Sequence, residues 1–236
     1  MTVTDRQSPT KAVHTWALHR TLGSFVAAGA MPLGGLPAGG GGGLALLDLP
    51  AELARRGYGA FQLAHFYLPS TDAGYLAELR AATAAAGVEL ECFLIDDGDP
   101  SDTTGAAPGE EWISGWLDVA VALGAPRARV VAGKSEPTPL RLDASATALR
   151  SLADLGNWRG PGKYDELARV AHLAETCQAK VRMSGTELDV EDYRRSLTVL
   201  RDAGYAGPLA MVYDGPDPDE WGHLEQAYAV VTDIFG

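Results

Sequence analysis

Four apolar runs in this chain end in side chains able to donate, accept or abstract a proton. They read Leu63-Ala64-His65, Phe93-Leu94-Ile95-Asp96-Asp97, Arg129-Val130-Val131-Ala132-Gly133-Lys134 and Leu209-Ala210-Met211-Val212-Tyr213-Asp214. An imidazole titrates near neutrality and can act as acid, base or substrate ligand. A carboxylate can take a proton or bind hydroxyls, and a strand-end ammonium can hold a phosphate or carboxylate. In a closed parallel βα barrel the C-terminal strand ends open into one mouth, so such residues converge there.

Each residue also has a plainer reading. His65 can be a rim histidine satisfied by a backbone carbonyl. Asp96 and Asp97 can bind hydroxyls, or cap the turn Asp97-Gly98-Asp99-Pro100. Lys134 can be a solvated loop lysine. Trp158, just after Asp154-Leu155-Gly156-Asn157, can stack on a ligand or pack beneath the following loop.

The elements that must position these groups alternate between strand and helix. Residues 11–18 read as a first strand, followed by a glycine- and proline-rich loop from Gly23 to Leu49. That loop is either a lid or a tolerated insertion, and its Gly39–Gly43 run lacks the Lys-Ser/Thr ending of a phosphate loop. Pro50 starts a helix that stops at Gly57, and a strand follows near 58–64. Asp72 precedes a helix using Tyr75, Leu76, Leu79 and Thr83, ended by Gly87. Strand three is Val88–Ile95. The next helix carries Trp112, Ile113, Trp116, Leu117 and Ala120 inside and stops at Gly124. Strand four lies near Arg127–Ala132, and Asp143 caps a helix using Ala146, Leu149 and Leu152.

There the alternation falters. A further helix starts near Lys163, leaving only Ala153 to Gly162 for a strand of a few residues. Afterwards a strand at Ala179–Met183, a helix capped by Asp189, a strand at Pro208–Tyr213 and a last helix using Trp221, Leu224, Tyr228 and Val231 complete the chain. Six strands are clear and a seventh is marginal, where a complete barrel needs eight. The fold class is therefore α/β, a TIM-barrel-like parallel (β/α) fold that is incomplete.

With 236 residues, 46% of them hydrophobic, the chain suits one barrel domain over 1–236. A net charge of −12 disfavours nucleic acid and anionic membranes as partners. No run is long and apolar enough for a membrane span, and the start lacks a signal-peptide pattern, so a cytoplasmic setting is expected. Cys92 and Cys177 read as reduced core thiols. Unpaired edges left by missing strands predict a smaller or split barrel, or a homodimer that uses the gap.

The segments Thr15-Trp16-Ala17-Leu18-His19-Arg20, Leu63-Ala64-His65-Phe66, Asp154-Leu155-Gly156-Asn157-Trp158, Glu175-Thr176-Cys177-Gln178-Ala179-Lys180 and Val212-Tyr213-Asp214-Gly215 occur in an order found in a known group. From about Val13 onward the chain resembles the xylose isomerase-like TIM-barrel proteins, sugar phosphate isomerases and epimerases. The resemblance implies a divalent metal (Mn, Mg, Co or Zn) orienting hydroxyl and carbonyl oxygens during a proton or hydride shift. Its implied ligands here are Asp154, Gln178 and Asp214, with Gln178 standing where the family has His and the first Glu without a counterpart. It implies Asp154 and Asp214 as catalytic residues; strand-end position adds His65 as a third, and Lys134, Trp158 and Asp96 are the candidates to contact a sugar-like polyol substrate.

Three functions compete. The first is an isomerase or epimerase of a small sugar or polyol, with weakened metal dependence. The second is a degenerate barrel that binds a ligand or partner without turnover. The third is a metal-free acid–base enzyme of secondary metabolism using His65 and the carboxylates. All three expect Asp154, Asp214 and His65 to share one rim.

Overall fold

The computed structural model describes residues 8–22, 42–97, 109–130, 151–156, 158–184 and 187–236. In chain order the elements are β1 (Lys11–His14), α1 (His19–Leu22), α2 (Leu49–Arg55), β2 (Ala60–Ala64), α3 (Ala73–Ala86), β3 (Glu89–Ile95), α4 (Glu110–Leu123) and β4 (Ala128–Val130). There follow β5 (Ser151–Asp154), α5 (Lys163–Ala171), β6 (Ala174–Lys180), the short β7 (Met183–Ser184) and β8 (Glu187–Leu188), α6 (Val190–Asp202), β9 (Leu209–Val212) and α7 (Glu220–Phe235). Seven parallel strands with intervening helices make this an incomplete TIM-barrel-like α/β fold. β7 and β8 form a separate antiparallel hairpin that the sequence pattern does not announce.

The chain divides into two units, one holding Met1–Leu18, Tyr58–Ala60 and Arg150–Gly236 and the other His19–Gly57 and Phe61–Leu149. In the first unit the hydrogen-bonded order is β1-β9-β6-β5. Residues in register on neighbouring parallel strands share a face. Ala12 pairs with Ala210, Ala210 with Gln178 and Gln178 with Asp154, so these four form one row. Ala12 and Ala210 of this row pack together with Ala60, all three buried. Val13, Met211 and Ala179 alternate onto the other face and are buried. Around this sheet, α5 packs on α6, α6 on α7, and α7 on β9. Their buried faces carry Leu167 and Ala171, Tyr193, Leu197 and Leu200, and Leu224, Ala227, Val230 and Val231. Asp189 caps α6 as expected, its carboxylate accepting from the Asp192 N–H.

In the second unit the order is β4-β3-β2, with Phe93 opposite Ala128 and Ile95 opposite Val130. Helix α2 packs on α3 and α3 on α4. Gly87 and Gly124, at φ 64° and 77°, end α3 and α4 in the left-handed conformation that lacks a Cβ penalty. Asp72 precedes α3, but its carboxylate accepts from the Ser70 hydroxyl instead of capping the helix.

Several expectations change. The first strand stops at His14, because His14 Nδ1 accepts the Trp16 N–H at 2.8 Å and turns the backbone into a 3-10 turn. Leu152 lies in β5 and not on a helix. Ser151–Asp154 pairs along β6, and Leu155 N–H extends the ladder to the Gln178 carbonyl. The marginal seventh strand is therefore real and four residues long. β6 begins at Ala174, five residues before the expected Ala179, since its pairing starts opposite Ser151. Leu117 is 38% exposed, because the buried stripe of α4 is the narrower Ile113, Trp116, Ala120 and Leu123. Cys92 and Cys177 are buried free thiols. The helix expected after Asp143, the loop from Gly23 to residue 41 and the turn after Asp97 lie outside the described residues.

Candidate functional site

In the first unit, β5, β6 and β9 end side by side, and each delivers a polar group. Asp154 is the last residue of β5 and sits in register with Gln178, so both project from the same face. Gln178 is buried and Asp154 half-buried. Two residues further along β6, Lys180 pairs in register with Val212 and shares that face. Its ammonium Nζ lies 2.5 Å from Oδ2 of Asp214, just past the end of β9, with both side chains 33% exposed. His14, buried at the end of β1, belongs to the same face as Ala12.

The loop that carries Asp214 is held by Tyr213. The phenol hydroxyl accepts the Asp217 N–H at 3.1 Å and donates to the Asp217 carbonyl at 3.2 Å. The Tyr213 ring stacks on His223 with centroids 4.5 Å apart and planes 12° from parallel. A tight loop around a buried ring fixes where the Asp214 carboxylate points. On the other side, Asp154 Oδ1 accepts the Gly156 N–H at 2.8 Å, closing the turn that leads to Trp158. Trp158 is half-buried, and its carbonyl accepts from the Arg182 guanidinium at 2.9 Å.

The second unit treats its strand-end residues differently. His65 is fully buried. Its Nδ1 accepts the Asp96 N–H at 3.2 Å, which places the ring proton on Nε2. Phe66, Trp112 and Trp116 surround the imidazole at centroid distances of 5.3, 5.4 and 4.9 Å. Burial pushes its pKa down to about 4, against the opposing pull of the Asp97 charge and the Leu94 carbonyl. Asp96 is ion-paired with Arg129. Deeper, the buried Glu91 carboxylate accepts from the Gln62 amide at 2.6 Å. Lys134 lies outside the described residues. An open depression of about 410 Å³ on α3 and α4 is lined, among the described residues, by Ala73, Leu76, Ala77, Ala81, Ala84 and Ala122 with Arg80 as the ionisable group.

Thus Asp154, Gln178 and Asp214 come together in one unit with Trp158 nearby in sequence, while His65 and Asp96 sit together in the other. Sequence reasoning missed Lys180 and His14 as members of the polar face. Lys180 ends the Glu175–Lys180 segment already singled out, and two-residue alternation from Gln178 would have exposed it.

The implied metal set fails a test of its donors. Asp154 Oδ1 is engaged by Gly156 N–H, Asp214 Oδ2 by an ammonium, and Gln178 offers a neutral amide. A divalent ion on Asp214 would have to share that carboxylate with Lys180 against like-charge repulsion. Among the described residues there is no group of three or more His, Cys, Asp or Glu able to hold a metal. These residues do not fit the group.

No protein-family model matches the chain, and no curated protein sequence does. Solved structures do. A xylose isomerase domain protein from Planctomyces limnophilus aligns with a TM-score of 0.56 at 15% identity, over 96% of this chain and 97% of that one. The 3-keto-D-glucoside 4-epimerase YcjR from E. coli, in its apo form, aligns over 80% of this chain and 94% of its own at 14% identity, with a TM-score of 0.49. The chain has the xylose isomerase-like TIM-barrel fold. No helix among the described residues is long and apolar enough to cross a membrane.

Proposed function

We propose that this chain is a sugar isomerase- or epimerase-type enzyme that shifts a proton on a small polyol-like substrate bearing a carbonyl. The observation that carries the reading is the convergence of Asp154, Gln178, Lys180 and Asp214 on one sheet face at the ends of three adjacent strands. C-terminal strand ends are where enzymes of this fold do their chemistry. The xylose isomerase domain protein of the same fold supports a sugar-like substrate class.

The roles follow from chemistry and exposure. Asp214 is the accessible carboxylate and serves as the base for the carbon-bound proton. Gln178 and Asp154 bind hydroxyls, one through its buried amide and the other through its half-buried carboxylate. Trp158 offers a half-buried ring to a sugar face. His65 takes no part, since its ring is sealed and held neutral.

The test is hydrogen exchange. Wild-type protein in D2O with a panel of small aldoses and ketoses should place deuterium on the carbon next to the carbonyl, read by proton NMR. Asp214→Asn should slow that exchange by about 1,000-fold. Saturable binding of a panel member without any exchange would overturn the enzymatic reading in favour of a non-catalytic binder.

A further inference from the structure

The Lys180–Asp214 pair identifies the kind of group this site takes, an inference that rests on the isomerase reading above. The path of Lys180 is built into the backbone. A methyl group at Gly156 would come within 2.6 Å of Lys180 Cδ, 3.3 Å of its Cγ and 3.1 Å of Asp154 Oδ1. Glycine at 156 answers this close approach, since its φ lies outside the left-handed region. The bare backbone is a floor along which the lysine stem runs from β6 to the Asp214 carboxylate. At its end the ammonium is one third exposed, so it is held in place yet reachable. The neighbouring donors do not suit a divalent ion, while a fixed ammonium suits an oxyanion.

We propose that the Lys180 ammonium supplies the positive charge of this site, pairing with the carbonyl oxygen of an α-hydroxy carbonyl substrate, with no divalent metal involved. In the step, a carboxylate oxygen of Asp214 takes the proton from the carbon next to the carbonyl. The C–H electron pair becomes a C=C bond, the carbonyl π pair moves onto oxygen, and Lys180 pairs with the resulting oxyanion. Return of a proton from Asp214 to carbon restores the carbonyl, so neither oxidant nor reductant is consumed.

The experiment uses EDTA-treated full-length protein and glycolate, whose adjacent oxygens and negative charge mimic the enediolate. Calorimetry should show glycolate binding to wild type, a loss of at least about tenfold in Lys180→Gln, and recovery in Lys180→Arg, which keeps the charge. Gly156→Ala should weaken glycolate by about tenfold through displacement of the lysine stem. Deuterium exchange should survive EDTA and fall about 100-fold in Lys180→Gln. Thermal melts of each variant establish folding, and Lys180→Arg separates loss of charge from loss of fold. Exchange that EDTA abolishes and Mn restores keeps the isomerase reading and overturns this one. Glycolate binding that depends on Lys180, without exchange of any sugar, keeps the oxyanion site and overturns the isomerase reading. Glycolate affinity equal in wild type and Lys180→Gln overturns the lysine assignment outright.

Discussion

The strand ends of the two units carry similar residue types in opposite surroundings. Around β2 and β3 an imidazole and a carboxylate lie against aromatic rings and an arginine, with His65 fully buried and Asp96 9% exposed. Past β6 and β9 an ammonium and a carboxylate stand one third exposed. The first arrangement is dry and packed by aromatic rings, and its value is packing. His65 Nδ1 and the Asp96 carboxylate are engaged, and His65 Nε2 is without a hydrogen-bond partner among the described residues. The second holds opposite charges where a small molecule can exchange partners with them. Position at a strand end therefore does not identify a chemical group by itself; access decides.

That contrast can be broken from either side. The largest effect is expected at Trp116, the ring nearest His65. Trp116→Ala should cost about 3–5 kcal/mol in urea unfolding, and a loss under 1 kcal/mol would deny the sealed aromatic box. Next comes pH. With the His65 pKa at about 4 in the fold and near its ordinary 6.5 unfolded, the unfolded chain binds more protons between those values. Stability is therefore complete above pH 6.5 and falls as pH drops towards 4, by up to about 3 kcal/mol. His65→Gln should flatten the melting temperature across that window, whereas an unchanged slope would place the pH sensitivity elsewhere.

Smaller differences sharpen the comparison. Asp154→Asn keeps an acceptor for the Gly156 N–H and should slow sugar hydrogen exchange by about 10- to 100-fold, while Asp96→Asn leaves exchange within about twofold. Equal effects would erase the distinction between the two regions. At the bottom of the scale, Leu117→Lys on the exposed side of α4 should change stability by no more than about 0.5 kcal/mol by chemical denaturation.

Much of the layout was legible from local signals. Pro50, Gly87, Gly124 and Asp189 mark helix ends through dihedral and capping preferences that act within a few residues. The strand ends at His65, Asp96 and Asp214 follow from short apolar runs. What escaped depends on distant partners. Burial of His65 comes from Trp112 and Trp116 on a helix much later in the chain, which no local pattern couples to β2. Lys180 stayed hidden because β6 opens with the polar Glu175 and Thr176, so its start and its alternation were misjudged. β5 was marginal because four residues between two helical patterns fall below what periodicity can resolve. Gly156 reads as ordinary turn glycine until Lys180 is seen lying across it.

The most direct test of the account is side-by-side hydrogen exchange of one turned-over sugar by Asp214→Asn and His65→Gln, each normalised to folded protein at neutral pH. The account predicts that Asp214→Asn loses about three orders of magnitude and His65→Gln stays within about threefold of wild type. Loss of exchange in His65→Gln with Asp214→Asn near wild type would contradict it.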